Sequence, residues 1–346
     1  MKQRRSAQAF VYRAGIGLRG TPITCDGPGF ANDLIFLSHA YALAPHRSTA
    51  LTGPRAGRRQ VVTTETTLRL LGNIGDKLKG RTLPAAFGRP FNLGGHRIEV
   101  VPTGYLPGSA ALLCESDGRR LFYVGAFCPE SPVPGIESCE VRNADAMCVD
   151  ASLGDPERHL PPRSESLAKV RTFVGETLQA RKTPVLLGAA QGALAWVATE
   201  LVRAGFALRA HARVHSALAR LHAVTGAVPA VARFSSKLSE GEALLWPMEA
   251  RAKLPSKLPS GFPARLALVS GTAADPGLCE SMQVAAGFPL TTLPSFTEIL
   301  ALIEASAARE VALFHGPAES VAKLLRQRGL DAYPVGPPRQ MTLPGA

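Results

Sequence analysis

The chain has 346 residues, of which 46% are hydrophobic, 6% aromatic and 19% charged. At about 150 residues per domain this length provides roughly two domains with cores of their own, which excludes a small scaffold held by disulfides or metals. Apolar residues recur along the whole chain among 33 glycines and 28 prolines, and no polar low-complexity tract occurs, so a disordered chain is excluded as well.

The longest uncharged stretch, residues 183–199, includes Gly188, Gln191 and Gly192 and is too short and too polar to span a bilayer. The basic start, MKQRRSAQAFVYRAG, is interrupted at Arg13 before any cleavage-site pattern, and the expectation is a leaderless cytoplasmic protein. Six cysteines (Cys25, Cys114, Cys128, Cys139, Cys148 and Cys279) form no C-x-x-C pair, which predicts buried thiols in a reducing compartment. Lys and Arg outnumber Asp and Glu by 39 to 27, a net charge of +12 that invites a nucleic-acid partner. Arginine exceeds lysine 30 to 9 amid abundant Ala, Gly and Pro, a bias that a GC-rich genome writes into any protein, so the charge alone does not decide.

From Phe10 to about Ala126, short apolar runs alternate with turn signals: FVYRAGIGL, DLIFLSH, RQVVTT, HRIEVVPTG, AALLCES and RLFYVGA. These are predicted strands, and Asp117-Gly118 predicts a tight hairpin between the last two. DAMCVDAS reads as another buried strand. Residues 164–182 then carry Leu167, Val170, Phe173, Val174 and Leu178 at helical intervals, followed by a strand in TPVLLGAA, a helix in QGALAWVATELVRAG and a helix in SALARLHAVTG. A Pro/Lys-rich link near 250–263 marks a boundary, with Trp246 just before it read as part of a surface connection. The end of the chain is predicted as strand ARLALVSG, helix SFTEILALIEASA, strand EVALFHG and helix AESVAKLLRQRG, stopped at Gly329.

Individual motifs exclude several chemistries. Gly15, Gly17 and Gly20 match G-x-G-x-x-G, but TPITCDGPG follows and cannot open the helix that a dinucleotide site requires. No phosphate-binding G-x-x-x-x-G-K-[ST] and no G-x-S-x-G occurs. His211 and His215 have the spacing of a metal pair on a helix, yet Arg209, Arg213 and Arg220 surround them, so this stretch reads as a basic face and the three arginines as candidate nucleic-acid contacts.

LIFLSHAYALAPHR, ending a strand at Ser38-His39, resembles the H-x-H-x-D-H segment of the metallo-β-lactamase superfamily. TGYLPGSA (103–110), YVGAFCPE (123–130) and VDASLGDP (149–156) resemble that superfamily's AGHxxGSA, TGD and EATFG elements. SGTAADP, GFPLTTLPSF and VALFHGPAESVAKLLRQRGLDAYPV resemble the closing elements of its β-CASP nuclease branch, nearest to bacterial exonucleases associated with a DNA ligase and a helicase. The resemblance covers about residues 15 to 335. It implies an α/β fold: a metallo-β-lactamase αβ/βα sandwich (residues 1–164 and 263–346) interrupted by an inserted β-CASP α/β domain (165–262).

The chemistry that the resemblance implies is zinc-dependent, but its ligand positions are degenerate. His39 matches the first histidine, while the others fall on Tyr41, Leu43, Ala44, Tyr105, Ala126 and Leu293. One of seven expected ligands remains, too few for a catalytic zinc with its bound water, so loss of the metal and filling of the pocket by apolar side chains are expected. Asp150 and His315 stand at two further polar positions, where the resemblance implies an acid–base pair. The function read from this pattern is a pseudonuclease, a nucleic-acid-binding or scaffold subunit in DNA repair or RNA processing. Its expected partners are DNA or RNA, an active nuclease paralogue, a DNA ligase or a helicase. The alternative is an active metal-dependent exonuclease or hydrolase with a rebuilt metal site, and a third reading gives the reshaped pocket a different small ligand.

Overall fold

A computed structural model describes residues 8–337, apart from 31–32, 43–44, 54–55, 57–58, 132–134 and 236–237. The protein is a mixed α/β fold, and its described residues form three sheets. The first sheet takes β1 (Phe10–Tyr12), β2 (Ile16–Leu18), β3 (Ile23–Cys25), β4 (Leu34–Phe36), β5 (Val61–Thr63) and β6 (Thr82–Pro84) in chain order. The single run FVYRAGIGL is thus two strands: Arg13 turns back, its amide bonded to the Gly15 carbonyl at 2.8 Å, and β1 pairs antiparallel with β2. Helices α1 (Pro45–Thr52), α2 (Glu65–Leu70) and α3 (Asn73–Leu78) connect its later strands.

The second sheet begins with β7 (Phe91–Leu93), β8 (His96–Pro102), β9 (Ala110–Ser116), β10 (Arg119–Gly125) and β11 (Ala146–Asp150). Asp117 and Gly118 join β9 to β10 with φ of 50° and 72°, the doubly left-handed turn that matches strand twist. After α4 (Arg163–Gln179) the chain leaves to build the third sheet: β12 (Thr183–Gly188), α5 (Ala193–Arg203), β13 (Ala207–Ala210), α6 (Ala212–Thr225), β14 (Ala232–Arg233), β15 (Glu242–Pro247), β16 (Ala264–Val269), α7 (Pro276–Ser281) and β17 (Ala286–Phe288). This sheet is parallel throughout, in the order β14-β13-β15-β12-β16-β17. Its strands therefore run to Phe288, past the boundary expected at 262, because β16 pairs along its whole length with β12. The chain then returns through α8 (Phe296–Ser306), β18 (Glu310–Phe314), α9 (Ala318–Gln327) and β19 (Asp331–Pro334), adding β18 and β19 to the second sheet beside β11.

Alternation along the strands sets the layers. Phe36 and Val62 point from the first sheet to the second, where Leu112, Tyr123 and Ala146 meet them, while Ile35, Leu37 and Val61 point outward to Leu51, Leu68 and Leu78 of the helices. On the opposite face of the second sheet, Phe122 and Val124 pack under Ile299 and Leu302 of α8 and Val321 and Leu325 of α9. The cluster that buries Ile35 and Leu37 continues into α4, α5 and the third sheet through Val170, Trp196 and Leu245. Each such fully buried side chain stabilises the fold by about 1.5–3 kcal/mol.

Trp246 is not on the surface. It lies in β15, 3% exposed, with its indole N–H donating to the Ala250 carbonyl at 2.9 Å and its ring against His211 and Phe234. Among the described residues no helix is long and apolar enough to cross a membrane.

Candidate functional site

Four strands from the two facing sheets end around one space. Just past β4, β10 and β18, and at the end of β11, stand His39, Ala126, His315 and Asp150, and all four line a cavity of about 410 Å³. Crevices at the carboxyl ends of such strands are the usual ligand sites of α/β folds. Tyr41, Tyr105 and Leu293 line the same cavity. His39, Tyr41, Tyr105, Ala126 and Leu293 thus come together from far-separated parts of the chain, whereas Leu43 and Ala44 lie outside the described residues.

Strand register explains the central pair. β11 and β18 are parallel with Asp150 opposite Phe314, so the next residue, His315, lies beside the Asp150 carboxylate. His315 Nδ1 is 3.0 Å from Asp150 Oδ2, and Asp150 Oδ1 accepts the Ser152 amide at 2.7 Å. Asp150 is buried and His315 exposed. His315 has a φ of 61°, a left-handed conformation that costs energy for a residue with a side chain, and Gly316 follows at 50°. A Cβ on Gly316 would lie 2.5 Å from the Ala151 carbonyl oxygen, so only glycine fits where the two loops cross.

His39 is held differently. Its Nδ1 accepts the Tyr41 amide at 3.1 Å, a side-chain turn that leaves the ring proton on Nε2. Burial lowers its pKa below the ordinary value, while Asp26 and Asp150 pull in the opposite direction. Its ring meets Tyr105 edge-on at 4.9 Å. Burial pushes the Tyr105 hydroxyl up to about 12, Asp150 adding to the effect and the Thr292 hydroxyl opposing it. Burial raises Tyr41 also, against the influence of Arg220 and Gln191.

Asp26 is a cavity residue that the motif reading does not single out. One carboxylate oxygen accepts the Ser38 amide at 2.8 Å, and the other accepts the Ser38 and Tyr123 hydroxyls at 2.5 and 2.7 Å. Its signal in the sequence is faint: an aspartate directly after the apolar run of β3 and before Gly27, with a φ of 52° that Asp tolerates better than most residues.

The expected filling of the pocket is not what the structure shows. Ala126 is too small to fill it and Leu293 only half-buried at its edge, so the space stays open. The side chains present do not fit the zinc centre that the resemblance implies. Among the described residues no group of three or more His, Cys, Asp or Glu is placed to hold a metal ion. His39 Nε2 carries a hydrogen where a ligand needs a lone pair, and burial shifts both tyrosines away from phenolate.

The three arginines do not form one patch. Arg209 lies on β13 and pairs with Glu242 at 2.8 Å. Arg213 and Arg220 share α6 and line a second cavity, about 570 Å³, which adjoins the first at Tyr41 and also holds Gln191 and Glu249. Arg213 pairs with Glu249 at 3.5 Å and Arg220 donates to the Leu70 carbonyl at 3.1 Å. His211 caps α6 through Nδ1 and the Arg213 amide, while His215 bonds the Val231 carbonyl, so they do not act as a pair. All six cysteines are free; Cys25, Cys114, Cys128 and Cys148 are buried, and burial pushes the Cys128 thiol up to about 11.

No family model matches the chain. A curated protein described as "Probable DNA ligase", from Opitutus terrae, is 29% identical over 248 residues, which make up 71% of this chain and 24% of that protein. The chain therefore matches about a quarter of that relative's length.

Proposed function

We propose that the chain is a catalytically inactive relative of the β-CASP exonucleases: a metallo-β-lactamase-like sandwich with an inserted β-CASP-like domain, acting as a nucleic-acid-binding or scaffold subunit in DNA repair or RNA processing. The observation that carries this reading is the gathering around one cavity of five positions that match metal ligands in the resemblance, His39, Tyr41, Tyr105, Ala126 and Leu293, of which only His39 keeps a metal-ligating side chain. Positions picked one by one from separate motifs share a single site, yet the side chains there cannot assemble an activated water. The insertion of a parallel sheet between β11 and β18 suits a two-domain β-CASP arrangement. Similarity to a quarter of a much longer protein named as a probable DNA ligase supports DNA as the setting and a ligase as the partner.

Arg213 and Arg220, beside the cleft that adjoins the cavity, are the side chains placed to meet a phosphate backbone. The test is fluorescence anisotropy on labelled single- and double-stranded DNA and RNA over a series of salt concentrations, with nuclease assays on the same substrates and metal analysis of the purified chain. Binding that weakens linearly with the logarithm of salt concentration, with a slope reduced by about one in Arg213→Ala or Arg220→Ala, supports the reading. Cleavage that requires zinc or manganese and disappears in His39→Ala would overturn it in favour of an active enzyme with a rebuilt metal site. Absence of nucleic-acid binding, together with failure to co-purify with a ligase, helicase or nuclease, overturns it as well.

A further inference from the structure

We propose that the 410 Å³ cavity is a binding site for a small organic cation, an amine or quaternary ammonium group carried on a compact apolar body. This inference is independent of nucleic-acid binding, because its features oppose a phosphate.

Charge is the first feature. Among the described residues the cavity is lined by the carboxylates of Asp26 and Asp150 and by neither lysine nor arginine. The proton on His315 does not change the sign. With His315 protonated, the Asp150 pair is neutral and Asp26 remains; with it neutral, both carboxylates count. His39 brings no positive charge while its Nδ1 accepts the Tyr41 amide. A chain with a net charge of +12 therefore encloses a negative pocket.

The walls supply the second feature. Tyr12, Tyr41, Tyr105 and Phe314 all line the space, and aromatic faces attract ammonium groups and repel anions through the ring quadrupole. Tyr41 and Tyr105 stay neutral phenols, since burial raises both. Ile16, Ala126, Leu293 and Val335 complete the lining with apolar surface for the body of the ligand. The substitutions that remove metal ligands thus also change the preferred charge: without a divalent cation, the two carboxylates disfavour a phosphodiester.

Calorimetric titration of the full chain at neutral pH with three shape-matched probes tests the inference: benzylammonium, benzyl alcohol and benzoate. Benzylammonium is expected to bind at least about tenfold more tightly than benzyl alcohol, and benzoate not at all. Asp150→Asn keeps an oxygen for the Ser152 amide and leaves the Asp26 carboxylate in place, so it is expected to reduce that preference without reversing it. Leu293→Lys, at a half-buried edge position that tolerates a long side chain, is expected to abolish benzylammonium binding and admit benzoate. Benzoate binding the unaltered chain as tightly as benzylammonium overturns the inference. So does the absence of heat from benzylammonium up to about 10 mM, a concentration at which a site with a dissociation constant of about 1 mM is mostly filled.

Discussion

Asp150 and His315 meet at 3.0 Å because two parallel strands, β11 and β18, end in register, and the histidine pays for the contact with a left-handed backbone. The carboxylate is buried and serves two donors, the Ser152 amide on one oxygen and the imidazole on the other. Asp150→Ala removes both acceptors at once. The expected loss is about 1 kcal/mol, roughly the net worth of a hydrogen bond, because Ser152 is half-buried and His315 exposed, so water can replace the lost acceptor. Asp150→Asn, which keeps one oxygen for Ser152, is expected to lose less. Urea denaturation of the three proteins checks the order, and equal stability of all three would refute it.

The same two loops cross at Gly316, where a Cβ has no room and φ is 50°. Gly316→Ala is expected to destabilise the protein by more than 1 kcal/mol, roughly the penalty for a side chain in an incompatible backbone conformation. Its second effect is local: displacing His315 from Asp150 changes the imidazole titration followed by NMR. A folded Gly316→Ala protein with an unaltered His315 titration would show that the crossing does not position the histidine.

His39 gives the fold a pH dependence whose sign is set by burial. Its folded pKa lies below the ordinary 6.5, so between those two values the unfolded chain holds a proton that the folded chain does not. Stability therefore falls as the medium is acidified through that window and is complete above it. Asp26 and Asp150 face the ring and oppose the shift, while His315 reinforces it. His211 is also lowered, by burial and then by Arg213, and adds in the same direction. His39→Asn keeps a side-chain acceptor for the Tyr41 amide but cannot titrate, so the slope of stability against pH below about 6.5 is expected to flatten. An unchanged slope in His39→Asn assigns the dependence to other groups.

The elements that could be read in the sequence are those whose signal is local. The Asp117-Gly118 turn carries its own backbone preference, and Ser295 with Glu298 forms a capping box at the start of α8. Strands of three residues, such as β3 and β6, hold too few side chains to show a period and exist because their neighbours pair with them. Trp246 was misplaced for a related reason: Pro247 and the lysines beyond it suggest a surface link, whereas the ring's burial comes from His211 and Phe234, distant in sequence. At the site, His39, Asp150 and His315 are legible because each ends a strong strand motif. The open cavity is not, since small side chains at Ala126 and elsewhere do not say how far apart the backbones stand. Asp26 escaped because its partners, Ser38 and Tyr123, come from other strands.

Glu310, in β18, ties β1 to β19. Its buried carboxylate receives the Ala9 amide, the Tyr333 hydroxyl at 2.7 Å and the Arg119 guanidinium at 2.8 Å, while the Tyr333 oxygen accepts the Phe10 amide at 3.0 Å. β1 has only three residues and pairs only with β2 among the described strands, so these contacts anchor it where its own ladder is weak. Tyr333→Phe leaves the Phe10 amide without its acceptor, at an expected cost of about 1–3 kcal/mol. Glu310→Gln keeps the side chain's shape but gives up the charge opposite Arg119, so it is expected to loosen the same strand. Hydrogen exchange distinguishes a local role from a global one: in both variants protection is expected to fall first at residues 9–12, with Val311 and Leu313 in β18 keeping theirs. Uniform loss of protection across β1 and β18 would mean that the anchor supports the whole sandwich and not only its first strand.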